Sequence, residues 1–142
     1  MAAIVDFLGG TKGLGASPKT AVDWERIIVK GMPFRSAEAL KEHVAVPDAL
    51  LAELLGISEK TLSRARAARV RLDPVVSDRL FRVARIIALA VEVLESEEAA
   101  LHWLKRSQIG LGGRSPLPML ATEAGRDQVE KLLLRIEYGV YT

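Results

Sequence analysis

Asp48-Ala-Leu-Leu-Ala-Glu-Leu-Leu-Gly-Ile-Ser-Glu-Lys-Thr-Leu-Ser-Arg-Ala-Arg66 is the stretch that decides the fold. Its spacing predicts two short helices joined by a tight turn at Gly56-Ile57-Ser58. Leu51, Leu54 and Leu55 share one apolar face of the first helix, and Ala52 is small enough to admit a close neighbour. Asp48 is placed to cap that helix. Gly56 supplies the positive φ that ends it, a conformation a Cβ would penalise. Ile57 plugs the angle, and Ser58 caps the second helix through its side-chain oxygen. Leu62 and Ala65, three apart, point back to the core, which leaves Lys60, Ser63, Arg64 and Arg66 on the outer side. These position types together describe a helix-turn-helix of the DNA-binding kind. A plain helical hairpin with a basic outer face is the competing reading.

Charge separates the two. From Ser58 to Arg71 the chain carries Lys60, Arg64, Arg66, Arg69 and Arg71 against Glu59 alone, whereas its whole formal charge is only +2. A local excess of this sort is what phosphate neutralisation requires. The DNA-facing candidates are Ser58, Lys60, Thr61, Ser63, Arg64 and Arg66. Lys60, Ser63 and Arg64 would lie nearest base edges, and Thr61 or Arg66 near phosphates.

Composition supports an all-α chain. Aromatic residues are 5% and hydrophobic residues 49%, enough for a real core built of packed helices. Absence of cysteine excludes disulfides and Cys-based zinc sites. Met1 to Leu8 has neither the basic start nor the apolar core of a signal peptide. The most apolar window, Val83 to Leu94, is interrupted by Arg85 and Glu92 and is too short to span a bilayer. A soluble, cytoplasmic protein is expected.

Outward from the central stretch, residues 1–19 read as a flexible leader, in which Ala2 to Leu8 could form a short strand before Gly9-Gly10-Thr11-Lys12-Gly13-Leu14-Gly15. That loop lacks the Gly-Lys-Ser/Thr ending and the third dinucleotide-site glycine, so a phosphate cradle is rejected. Residues 20–72 form the helix-turn-helix domain. Thr20 to Lys30 is a helix stopped by Gly31, and Ser36 caps Ala37 to Val44. Residues 73–95 contain one long connecting helix, opened by Asp73-Pro74. It is apolar on nearly every side, so it needs cover from the remaining helices or from a second subunit.

Residues 96–142 hold a further helix capped by Ser96, a loop from Ser107 to Ser115, a turn opened by Pro116 and a last helix capped by Thr122. In that last helix Val129, Leu132, Leu133 and Ile136 face inward, with Arg126, Asp127, Glu130, Lys131 and Arg135 outward. The sticky end Tyr138-Gly139-Val140-Tyr141-Thr142 follows. Glu98 and His102 lack a second ligand pair, so no metal site is expected. No nucleophile–base pair or cofactor loop is present either, so neither an enzyme nor a cofactor is expected.

Several blocks resemble the Xre-type antitoxins of bacterial toxin–antitoxin modules: Leu54-Leu55-Gly56-Ile57-Ser58, then Thr61-Leu62, then Ser77-Asp78-Arg79-Leu80. Trp103-Leu104, Leu111-Gly112-Gly113-Arg114-Ser115-Pro116-Leu117, Thr122-Glu123 with Gly125, and Arg135-Ile136-Glu137-Tyr138-Gly139-Val140-Tyr141 are similar to the Xre–MbcA–ParS toxin-binding domain. Ser107-Gln108-Ile109-Gly110 departs from it where the family often has a Pro-Asn turn.

The resemblance implies an N-terminal helix-turn-helix domain followed by a C-terminal helical toxin-binding domain. It also implies a cognate RES-domain toxin that consumes NAD, neutralised by direct binding over its active site. Operator DNA would be bound by a homodimer that represses its own operon. Carried over by position, Leu111, Gly112, Gly113, Arg114, Ser115, Pro116, Gly139, Val140 and Tyr141 are the toxin-contact candidates. A stand-alone helix-turn-helix regulator with a C-terminal sensor domain is the alternative.

Overall fold

Glycines and short polar side chains set where each helix starts and stops. The structure, a computed structural model, describes residues 2–139. Those residues form ten α-helices and one 3-10 turn. Among them β-pairing is limited to two isolated bridges, Pro33–Arg71 and Gln108–Arg114. The chain divides into one unit ending at Ala84 and a second beginning at Arg85.

The first unit opens with α1 (Ala2–Phe7) and α2 (Gly10–Leu14), joined through Gly9 at φ 99°. Next come α3 (Ala21–Lys30) and α4 (Phe34–Val44). The strand expected over Ala2 to Leu8 is thus a helix, and the expected flexible leader is folded. Ile4, Phe7, Leu8 and Leu14 are buried. The Phe7 ring meets His43 edge-on at 5.3 Å, and Arg35 donates from Nε to the Gly13 carbonyl at 2.6 Å. So short an apolar run suits either period, and burial against α4 selects the helix.

Helix α3 starts at a capping box. Thr20 Oγ1 accepts from the Asp23 amide at 3.2 Å, and Asp23 Oδ2 accepts from the amides of Thr20 and Lys19 at 3.1 and 2.9 Å. These bonds, the Lys19 amide foremost, hold the Asp23 carboxyl below its ordinary range. Helix α3 ends at Gly31, as the sequence predicts. Pro33, and not Ser36, holds the cap position before α4, with φ −60°, and Ser36 sits buried inside the first turn.

Helices α5 (Asp48–Leu55) and α6 (Glu59–Ala68) are the pair the central stretch predicts. Leu51, Ala52, Leu54, Leu55 and Leu62 are all buried; full burial of a leucine such as Leu62 contributes about 2 kcal/mol. Asp48 is the first residue of α5 rather than its cap. Pro47 holds the cap position, which frees the Asp48 carboxylate for a tertiary partner.

Helix α7 (Pro74–Leu94) runs from the first unit into the second. Asp73 Oδ1 caps its start by accepting from the Val76 amide at 2.8 Å. Val83, Ala84, Ile86, Ile87 and Ala90 are fully buried within one chain. Of the two sources of cover the sequence leaves open, the chain's own helices therefore supply most.

A clasp closes the helix-turn-helix region. The Leu72 amide donates to the Met32 carbonyl at 2.8 Å. The Met32 amide donates to Ser77 Oγ at 2.9 Å, and that hydroxyl donates on to the Leu72 carbonyl at 3.3 Å. Gly31 is required here, because a Cβ would collide with the Leu72 carbonyl oxygen.

The second unit adds α8 (Glu97–Lys105), the 3-10 turn Ile109–Leu111, α9 (Pro116–Met119) and α10 (Glu123–Glu137). Ser96 and Thr122 cap α8 and α10 through their side chains, as predicted. Ala100, Leu104, Leu117, Leu120, Val129 and Leu133 form its core. Arg126, expected on the outer face, is buried. Its Nη1 donates to the Leu120 carbonyl at 2.9 Å, satisfying the end of α9. The backbones come that close because Gly125 has no Cβ to strike the Met119 carbonyl.

Candidate nucleic-acid interface and C-terminal surface

The α5–α6 turn is fixed from several sides. Gly56 adopts φ 71°, and its amide and that of Ile57 satisfy the last carbonyls of α5. Arg79, on α7, lies across the turn with Nη1 donating to the Leu55 carbonyl at 3.3 Å. A Cβ on Gly56 would run into that guanidinium. Ser58 Oγ accepts from the Thr61 amide at 3.0 Å and donates to Thr61 Oγ1 at 2.9 Å. Both hydroxyls are thereby committed to the cap, although both residues are exposed.

Lys60, Ser63 and Arg64 are brought together on the solvent side of α6, opposite buried Leu62. Neither Lys60 nor Arg64 has a carboxylate partner among the described residues.

Arg66 does not join them. Its Nε and Nη2 donate to Glu38 Oε1 at 3.0 and 2.7 Å, and its Nη1 and Nη2 donate to Asp48 Oδ2 and Oδ1 at 2.9 and 2.8 Å. The guanidinium also stands 5.8 Å from the centre of the Phe34 ring. These bonds hold the Asp48 carboxyl below its ordinary range, and Asp48 with Glu38 raises the affinity of Arg66 for its proton. Arg66 is thus not the unpaired outward charge that the sequence suggests: two carboxylates of its own domain engage its guanidinium. Glu38 and Asp48 lie 28 and 18 residues away in sequence, so no local pattern announces the pairing.

The structure also shows a basic feature that the helix-turn-helix pattern misses. Around the C-terminal end of α6 is a groove of about 530 Å³, lined by Pro33, Phe34, Arg35, Glu38, Arg66, Arg69 and Arg71. Clustering of arginines after Arg64 is its only trace in the sequence.

In the second unit, the loop from Gln108 to Arg114 closes as a small hairpin. The Gln108 amide donates to the Arg114 carbonyl at 3.1 Å, and the Gly113 amide donates to the Gln108 carbonyl at 3.0 Å. Gly112 and Gly113 take φ of 67° and 82°. Gln108 Nε2 donates to the Trp103 carbonyl at 2.9 Å. Arg114 shapes the loop from outside, with Nε on the Leu111 carbonyl and Nη2 on Gln128 Oε1, each at 3.1 Å.

Of the contact candidates here, Gly112, Gly113 and Arg114 are exposed and Ser115 is half-buried. Leu111 and Pro116 are buried in this unit. Gly139 is exposed just beyond α10; Val140 and Tyr141 lie outside the described residues. Sequence reasoning missed Ile109, which is 97% exposed at the head of the hairpin, and Tyr138 is 77% exposed. An isoleucine beside Gly110 in a glycine-rich loop was the available signal.

Among the described residues no group of three His, Cys, Asp or Glu side chains could hold a metal ion. No helix there is long and apolar enough to cross a membrane.

Comparison with known proteins divides the chain as the geometry does. Residues 23–85 match a family model described as the antitoxin Xre-like helix-turn-helix domain, and residues 89–139 match the antitoxin Xre/MbcA/ParS C-terminal toxin-binding domain. An antitoxin Xre of Yersinia enterocolitica is 33% identical over 99 residues, covering 69% of this chain and 67% of the relative. An antitoxin Xre of Photorhabdus laumondii is 28% identical over 115 residues, covering 80% and 78%. A chain in the crystal structure of the M. tuberculosis MbcT–MbcA toxin–antitoxin complex shares the fold, with a TM-score of 0.53 at 18% identity. The match covers 75% of this chain and 94% of that one.

Proposed function

The chain belongs to the Xre antitoxin family, and from that premise we propose that it neutralises a cognate RES-domain, NAD-consuming toxin and represses its own operon. Neutralisation is by direct binding of the second unit over the toxin's active site. Ile109, the exposed residues Gly112, Gly113 and Arg114, and the tail from Gly139 are the contact surface. Repression is by insertion of α6 into the major groove of operator DNA in the cytoplasm, with two copies of the chain reading two half-sites about one helical turn, or 34 Å, apart.

One observation supports this division of labour above others. Lys60, Ser63 and Arg64 face solvent without carboxylate partners in the first unit, while the toxin-binding match falls on a separate stretch, residues 89–139. An arginine fork reading guanine is worth about 1–3 kcal/mol of discrimination. The test is co-expression and co-purification with the product of the adjacent gene, together with an NAD-consumption assay. Arg64→Ala is expected to lower operator affinity by about tenfold or more while still rescuing growth. Loss of both activities would indicate an unfolded domain and overturn the assignment of Arg64.

A further inference from the structure

We infer that the groove at the C-terminal end of α6 is a second DNA contact, a clamp for the phosphodiester backbone that acts independently of base sequence. It rests on the operator-binding reading and extends it to residues that α6 does not present on its outer face. Arg35, Arg66, Arg69 and Arg71 line this groove, and Glu38 is its one acidic side chain. Glu38 is already engaged by Arg66 through two bonds. Arg66, Glu38 and Asp48 together carry one net negative charge, offset by Lys41 Nζ at 3.8 Å from Asp48 Oδ1, which leaves Arg35, Arg69 and Arg71 to set the sign of the groove.

Two of these arginines are held in place without being neutralised. Arg71 Nη1 donates to the Gly31 carbonyl at 2.8 Å, and Arg35 donates from Nε and Nη2 to the Gly13 and Lys12 carbonyls at 2.6 and 3.3 Å. Carbonyl partners fix a guanidinium while leaving its charge and remaining N–H groups available, and a planar fork of that kind suits a phosphate. Arg69 is unusual in a different way. It ends α6 in the left-handed region at φ 52°, where glycine is the strain-free residue. A long cationic side chain kept at a position that disfavours it points to a use for that side chain.

Placement agrees with this use. With 10 residues at 1.5 Å each, α6 is about 15 Å long, whereas the major groove is about 12 Å wide. A helix whose N-terminal half meets base edges therefore brings its far end to the wall of the groove, where the phosphates run.

The test is fluorescence anisotropy of the full chain on two duplexes, the promoter region of its own gene and a scrambled duplex of equal length, across a series of KCl concentrations. Arg69→Gly is the informative variant, because it relieves the left-handed strain while removing the charge. Its melting temperature is expected to equal or exceed that of the wild type. The slope of log K against log salt is expected to shrink by about 0.9 on both duplexes, and Arg69→Lys is expected to restore it. An unchanged slope, or a loss confined to the promoter duplex, would overturn the clamp while leaving operator reading intact. Equal binding of both duplexes by the wild type, with a slope that depends on Arg69, would overturn operator reading and support the clamp. Absence of binding at low salt would overturn both.

Discussion

Gly56 and Gly112 both halt a helical segment in the left-handed region, at φ 71° and 67°, yet their surroundings are opposite. Over Gly56 lies the Arg79 guanidinium, close enough to exclude a Cβ; at Gly112 nothing stands within 4 Å of where one would be. The first turn is locked under a side chain from a distant helix, and the second is open to solvent beside an isoleucine that is 97% exposed. Glycine in a turn thus has two separable meanings. One is a packing demand made by the fold; the other is a backbone bend that leaves the outer surface free for a partner.

Replacing each glycine by alanine should break this symmetry most visibly. Gly112→Ala is expected to cost about 1 kcal/mol, for the left-handed backbone alone. Gly56→Ala is expected to cost about 1.5–2.5 kcal/mol, because Arg79 must also leave the Leu55 carbonyl. Urea denaturation measures both. In an Arg79→Ala background the Gly56 penalty should fall to that of Gly112; equal penalties in the wild-type background would mean that Arg79 adds nothing.

A smaller effect is expected at the open turn. Ile109→Asp should leave stability within about 0.5 kcal/mol of the wild type, since the side chain touches little. It should weaken toxin binding by about tenfold, or 1.4 kcal/mol. Titration calorimetry with the purified toxin decides this, and unchanged affinity would remove Ile109 from the contact surface.

The smallest effect concerns charge. The first unit is braced by ions, Arg66 with Asp48 and Glu38, whereas Arg114 braces the hairpin through neutral groups. The Asp48 carboxyl sits below its ordinary value of 3.8 in the folded chain. Its contribution is therefore present above about pH 4 and lost as pH falls through the lower folded value. Asp48→Asn should lower the melting temperature modestly at pH 7, and the gap to the wild type should close on acidification below pH 4. A gap that persists in acid would show that Asp48 acts through something other than its charge.

These contrasts also mark where the sequence is readable. The α5–α6 pair, the caps at Ser58, Asp73, Ser96 and Thr122, and the glycine stops at Gly31 and Gly56 follow from local chemistry and stand in the structure as expected. What fails to follow depends on partners far along the chain. Arg66 looks like its neighbour Arg64 until Glu38 and Asp48 are folded against it. Arg126 looks solvent-facing until the Leu120 carbonyl turns toward it. The segment before Thr20 precedes the family match, which starts at residue 23. Its helical state follows from burial of Phe7 and Leu8 and not from any period in so few residues. Ile109 escapes for the opposite reason, because an apolar residue is assigned to a core by default.

The clasp between Met32 and Leu72 has a mechanical consequence. A chain drawn taut from its two ends carries tension up to Met32, across the hydrogen bonds shared by Met32, Leu72 and Ser77, and onward from Leu72. Helices α4, α5 and α6 lie between the two sides of that crossing. A pull that separates Met32 from Leu72 must therefore break these bonds before it extends the stretch that carries α6.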